Sequence, residues 1–224
     1  MSLNAQAWLS LAVLALAMAL LVLVPAGTLD YWQAWVYLAV FLGAASLITR
    51  HLMKRDPALL RRRMSGGPTA EREPAQRTIM LFASLAFISM LVVPGFDHRF
   101  AWSLVPTYAV VAGNVMTAVG FYLISLVYRE NSFTSATVEV VEGQRVISTG
   151  PYAIVRHPMY ASSSLYVLGT PLALGSWWGL VPVVGLFPLL VWRLLDEERL
   201  LARSLPGYRE YQQRVRYRLV PGIW

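Results

Sequence analysis

Between Gly150 and Tyr160 the chain reads Gly-Pro-Tyr-Ala-Ile-Val-Arg-His-Pro-Met-Tyr, which brings a guanidinium, an imidazole and two phenols together directly before an apolar run. Pro151 and Pro158 withhold backbone donors and bias the residues before them away from helix, so the segment is expected to be bent and fixed in shape. Ionisable side chains against apolar spans point to function, and irregular backbone there must be buried by protein or line a cavity. The plainer alternative is that Arg156 and His157 anchor a helix at the headgroups. A second polar group follows Arg193, where Asp196, Glu197 and Glu198 interrupt a helix leaving the apolar region; alone, these acids read as a solvated helix end offset by Arg199 or Arg203. A third is Leu205-Pro206-Gly207-Tyr208-Arg209-Glu210-Tyr211. Tyr208, Tyr211 and Val215 share a helical face, after which Val215, Tyr217 and Leu219 alternate with arginines as if extended, in a tail able to fold back over the acids. Asn131, Phe133 and Thr134 belong either to a site or to a strand-entry turn.

The elements that must position these groups are set by composition. Of 224 residues, 57% are apolar and 14% charged, which predicts an all-α polytopic membrane protein. The net charge is +7, and arginine rather than lysine supplies nearly all of the basic side chains. Such arginines suit carboxylates, phosphates and headgroups, and no interleaved basic and aromatic patch favours nucleic acid. Cysteine is absent, which excludes disulfides, thiolate catalysis and Cys-ligated metal. His51, His98 and His157 are far apart without zinc spacing, and Asp97-His98 reads as loop polarity rather than a metal pair.

Four spans are expected, at about 6–24, 31–49, 78–93 and 104–127. The first is taken as a retained span rather than a signal peptide, because no Lys or Arg precedes Arg50 and Val24-Pro25-Ala26 is a poor cleavage site. Short turns are expected at 25–28 and at 94–99. A basic segment runs from Arg50 to Arg77, with Asp56-Pro57 as helix cap and first position, Leu59, Leu60 and Met64 on the bilayer, arginines toward headgroups, and Gly66-Gly67-Pro68 as its end. Gly113, Thr117 and Gly120 form a small-residue stripe for helix packing. The Val/Thr/Glu-rich run to Arg145 suggests a strand or hairpin. Apolar segments at 159–174 and 178–195 make either two further spans or a re-entrant helical hairpin. Residues 1–128 thus form a transmembrane scaffold, and 129–224 a catalytic region with the hairpin and a C-terminal tail. Alternating spans from a cytoplasmic N-terminus put every Lys and Arg except Arg99 on the cytoplasmic side.

In order and spacing, Gly-x-Tyr-x-x-x-Arg-His-Pro-x-Tyr, an apolar hairpin, Glu-Glu, Gly-x-x-x-Tyr and a tail ending near Pro resemble the isoprenylcysteine carboxyl methyltransferase and phospholipid methyltransferase superfamily, over about Asn131 to Trp224. Ser162 stands where that family often has Gly, a small-for-small change. The resemblance implies S-adenosylmethionine bound at the cytoplasmic face, with a lipophilic or small acceptor (carboxylate, amine or thiol) entering from the lipid; the short, Arg-rich chain itself points to a prokaryotic inner membrane. Gly150, Tyr152, Arg156, His157, Tyr160, Glu197, Glu198, Tyr208 and Tyr211 become candidate cofactor-binding residues. Arg156 and His157 would meet a carboxylate, the glutamates an ammonium or hydroxyls, and the tyrosines an adenine face or sulfonium. Arg193 is the candidate acceptor-orienting residue, with Asn131 beside it as the second catalytic candidate. Two alternatives are an NADPH-dependent sterol-type reductase, whose family has a similar Arg-His-Pro-x-Tyr core, and a lipid-binding membrane protein without turnover.

Overall fold

In the computed structural model, which describes residues 1–66, 69, 71, 74–137, 140 and 143–224, the chain is all helical. The helices are α1 (Leu3–Ala26), α2 (Trp32–Arg55), α3 (Pro57–Met64), α4 (Pro74–Phe100), α5 (Thr107–Glu130), α6 (Pro158–Ala173), α7 (Leu180–Ser204) and α8 (Tyr208–Arg214), with a 3-10 turn at Gly150–Ala153 before α6. Four of them, α1, α2, α4 and α5, are long and apolar enough to cross a membrane, with hydropathies of 2.7, 1.5, 2.3 and 1.9 in their best windows. This is an integral membrane bundle. Its outward faces keep Leu, Val, Phe and Trp exposed, as hydrocarbon permits.

Packing follows side-chain size. The most extensive interface is α5 against α6. It rests on the stripe Gly113, Thr117 and Gly120, all buried. A Cβ on Gly113 would run into the backbone of Ala173 and lie 2.6 Å from the Gly169 carbonyl oxygen, and one on Gly120 would lie 2.9 Å from the Tyr166 nitrogen. Small residues therefore let the two backbones touch. Ser162, buried in the same seam, donates its hydroxyl to the Pro158 carbonyl at 2.7 Å, so the extra oxygen is satisfied within its own helix.

α6 and α7 form a hairpin whose turn reaches the end of the bundle where the α1–α2 and α4–α5 connections lie. There the Tyr31 hydroxyl donates to the Leu174 carbonyl at 2.5 Å, the Ser176 hydroxyl to Asp97 at 2.5 Å, and the Trp177 N–H to Ser103 Oγ at 3.2 Å. The hairpin thus runs the depth of its neighbours. Asp97 accepts also from the Ser103 N–H at 2.8 Å and is fully buried.

Several expectations are corrected. Residues 94–99, expected as a turn, continue α4 to Phe100, with Pro94 inside the helix. Gly95 explains the continuity, because a Cβ there would meet the Val22 carbonyl oxygen at 2.5 Å; the glycine serves close approach to α1 rather than a bend. Pro25 and Ala26 likewise remain in α1, which ends at Gly27 with φ +65°. Asp56 does cap α3, accepting from the Leu59 N–H at 2.9 Å, with Pro57 as first helical residue. Leu59 and Leu60, however, pack on Ala7 and Leu52 instead of lying on lipid. Arg62 and Arg63 turn inward rather than to headgroups, donating to the carbonyls of Ser132 and Ser135, the latter at 2.7 Å. Among the described residues between Ser132 and Arg145 there is no strand; Val138, Glu139, Val141 and Glu142 of the expected hairpin lie outside them, as do Gly67, Pro68 and Arg72 of the basic segment. The carbonyls a partner strand would use are taken by arginines, including Arg193 on the Ala136 oxygen at 3.0 Å.

Candidate active site

Pro158 starts α6 at its first turn, where its missing N–H costs nothing, and leaves His157 just outside the helix. Gly150, with φ +56°, opens the 3-10 turn against Glu130. Between these fixed points the chain turns, with Ile154 in helical backbone and the Ile154 and Val155 N–H groups both donating to the Pro151 carbonyl at 3.2 Å. The Arg156 and His157 N–H groups donate to the Tyr217 and Arg218 carbonyls, each at 2.9 Å, so the tail is held against the motif.

The side chains then close on Glu198. Arg156 Nε donates to Glu198 Oε1 at 2.7 Å, His157 Nε2 lies 3.1 Å from the same oxygen, and Arg218 Nε donates to Oε2 at 3.0 Å. Arg156 Nη1 donates onward to the Val215 and Arg216 carbonyls, both at 2.9 Å. Arg156, His157 and Glu198 are 7%, 4% and 5% exposed. Burial alone would raise the Glu198 carboxyl, but hydrogen bonds from His157, Arg156 and Arg218 outweigh it and hold the group at about 2, well below 4.5. Glu198 is therefore a carboxylate, and it ties together motif, α7 and tail.

A cavity of about 290 Å³ opens beside this cluster. Arg193, Glu197 and Leu201 line it at the four-residue spacing of one helix face, while Leu194 and Glu198 face the interior. The two glutamates are thus divided by helical geometry. Tyr160 donates to Glu197 Oε2 at 2.7 Å. Arg193 is bonded to Glu71 at 2.8 Å and donates to Gln76 Oε1 at 2.8 Å. Asn131 donates to the Tyr152 hydroxyl at 2.9 Å, and Tyr211 donates to the Tyr152 carbonyl at 2.7 Å. Burial raises the Tyr152, Tyr208 and Tyr211 phenols, which stay neutral hydroxyls. Tyr208, 4% exposed, lines the cavity with a buried hydroxyl that has no hydrogen-bond partner among the described residues.

Of the candidate residues, Asn131, Tyr152, Arg156, His157, Tyr160, Arg193, Glu197, Tyr208 and Tyr211 line the cavity, and Gly150 and Glu198 do not. Gly150 shapes the turn and Glu198 holds the wall from behind. Arg218, in the alternating tail, completes the Glu198 cluster and lies 5.0 Å over the Trp224 ring. Its place in the alternating tail was the available signal. Glu71 and Gln76, which hold Arg193, carried none, since both lie far from it in sequence. Among the described residues no group of three or more His, Asp or Glu is arranged to hold a metal.

The family model for phospholipid methyltransferases matches residues 108–206, from the first turn of α5 to the turn before α8, and so contains the Arg156-His157 motif, the hairpin and both glutamates. No curated protein matches the chain.

Proposed function

Taking as premise that this chain is a membrane methyltransferase, in keeping with the phospholipid methyltransferase family that residues 108–206 match, we propose that its methyl donor is S-adenosylmethionine, held in the cavity beside Arg156 and His157. The single observation that carries this reading is the Tyr208 hydroxyl, buried in the cavity wall without a partner among the described residues. A buried hydroxyl left unmet is costly, and a ligand rich in hydroxyl, amino and carboxylate groups would meet it. The donor set fits such a ligand: Asn131 and Tyr152 for polar edges, Tyr208 and Tyr211 for a flat ring or a cation, and Glu197 for an ammonium. Gly150 and Glu198 contribute by shaping the turn and the wall.

Bound there beside Arg156 and His157, S-adenosylmethionine would supply an electrophilic methyl group for transfer to the acceptor. What the chain adds is placement and exclusion of water, because charge is neutralised when an anionic acceptor meets a sulfonium and little acid or base help is required. Arg193 and Asn131 stand on the acceptor side. Arg193 is fixed on that wall by Glu71 and Gln76. The acceptor is a lipophilic or small carboxylate, amine or thiol. The site faces the cytoplasm of the inner membrane, since the basic residues gather at its end of the bundle and Arg99 is at the other.

Titration calorimetry of the purified chain in detergent, with S-adenosylhomocysteine and separately with NADPH, tests the reading. Binding of the first alone is expected; binding of NADPH alone would move the chain to the reductases.

A further inference from the structure

Three acids follow one another on α7, and two of them already have a place in the site. Glu197 faces the cavity and accepts from Tyr160, and Glu198 turns behind the wall to Arg156, His157 and Arg218. Asp196 does neither. Its side chain is 29% exposed, its Oδ1 lies 3.5 Å from the exposed Arg199, and it does not line the cavity. A solvated helix end would ask for nothing more. Its other oxygen, however, is turned toward α4, where Asp196 Oδ2 accepts from Gln76 Nε2 at 2.5 Å.

Gln76, in the first turn of α4, is fully buried, so its amide has to be satisfied inside the protein. That amide has two unlike ends: the NH2 group only donates and the oxygen only accepts. Its two neighbours are as one-sided. An ionised Asp196 only accepts, and Arg193 only donates. One orientation of the amide therefore suits both, with Nε2 on Asp196 and Oε1 receiving Arg193 Nη1 at 2.8 Å. The reverse would set the NH2 group against the guanidinium and the oxygen against the carboxylate, and would lose two charge-assisted hydrogen bonds. Asp196 thus fixes Gln76, and Gln76 fixes one edge of Arg193. The other edge is Nη2, bonded to Glu71 at 2.8 Å and donating to the Ala136 carbonyl at 3.0 Å.

We infer that Asp196 and Gln76 are positioning residues for Arg193, a relay that sets the direction in which its guanidinium meets the methyl acceptor. The inference rests on the methyltransferase reading for what Arg193 orients, but not for the relay itself. Contacts at Nη2 alone leave the guanidinium plane free to pivot about that nitrogen; holding Nη1 as well stops it. Methyl transfer depends on in-line placement, so a pivoting Arg193 costs rate without costing donor affinity. Gln76 precedes residues 108–206, which the family model matches, so this support comes from the scaffold rather than from the matched region.

The test compares four forms of the full chain: unaltered, Asp196→Ala, Gln76→Glu, and Gln76→Glu combined with Asp196→Asn. Gln76→Glu brings two carboxylates together, and adding Asp196→Asn returns a donor to that contact. Each form is assayed for transfer of labelled methyl groups from S-adenosylmethionine into the lipid of the membranes that carry it, and, purified in detergent, for S-adenosylhomocysteine affinity by calorimetry and for its unfolding midpoint. Asp196→Ala and Gln76→Glu are each expected to slow transfer about tenfold, one charge-assisted hydrogen bond's worth, with affinity unchanged, and the double variant to return to within about threefold of the unaltered rate. Unchanged transfer in both single variants, no recovery in the double variant, or a loss of affinity equal to the loss of rate would overturn the proposal. Should S-adenosylhomocysteine fail to bind even the unaltered chain, the methyl donor is refuted and the midpoints decide the relay: a fall in Gln76→Glu that the double variant recovers upholds it, and an unrecovered fall removes it.

Discussion

At the scale of residues, the Glu198 cluster decides how the site stays together. Removing one partner of a buried ion pair strands the other, so Arg156→Ala is expected to destabilise the protein by about 3–5 kcal/mol, measured by unfolding in detergent, and Arg156→Lys to recover only part of that, since an ammonium cannot serve a carboxylate and two carbonyls from one plane. pH acts on the same cluster. The Glu198 carboxyl is depressed when folded, so its contribution is fully present above about 4.5 and drains away as pH falls toward about 2. Thermal midpoints should therefore begin to drop below about 4.5, and Glu198→Gln should abolish that part of the acid sensitivity. Tyr208 carries the opposite expectation. Its hydroxyl is buried and unmet, so Tyr208→Phe should leave the ligand-free protein as stable or more so, yet weaken S-adenosylhomocysteine binding about fivefold by calorimetry, the worth of about 1 kcal/mol of hydrogen bonding. A variant less stable without ligand, with unchanged affinity, would remove that hydroxyl from the binding wall.

At the scale of elements, the α5–α6 seam sets how near the motif comes to the scaffold. Gly113→Ala would push a methyl into the Ala173 backbone, which cannot rotate away, and should cost about 1–3 kcal/mol in unfolding experiments; Gly113→Leu should abolish folding. This seam was legible in the sequence, because Gly113, Thr117 and Gly120 recur at helical spacing. So were the four long helices, the Asp56 cap and the shared face of Tyr208 and Tyr211, each set by local periodicity or a single capping side chain. What was not legible depends on tertiary neighbours. Pro94 and Gly95 carry a turn signature, but α1 lying against them makes the glycine a contact point inside α4. Glu197 and Glu198 are adjacent in sequence, and only the rotation of α7 against the tail sends one to the cavity and the other behind it. The inward turn of Arg62 and Arg63 had no signal either, since the carbonyls they meet lie about seventy residues on.

At the scale of the whole molecule, the site is at the end of the bundle where arginine is dense, and the opposite end is capped by Asp97, Ser103, Ser176 and Tyr31. A chain without cysteine makes the orientation easy to read. In sealed inner-membrane vesicles of known sidedness, Arg209→Cys should react with an impermeant maleimide only from the cytoplasmic side, and Leu104→Cys, 90% exposed at the other end, only from outside. The reverse pattern would invert the proposed topology. The tail adds a matter of timing. Tyr217 and Arg218 supply the carbonyls that receive the motif's backbone, and Arg218 completes the ring around Glu198. Both follow α8 in the chain, so they are synthesised after every group they tie together. Until they are made, Arg156 and Glu198 lack these partners, so the cluster cannot close in a chain still being synthesised.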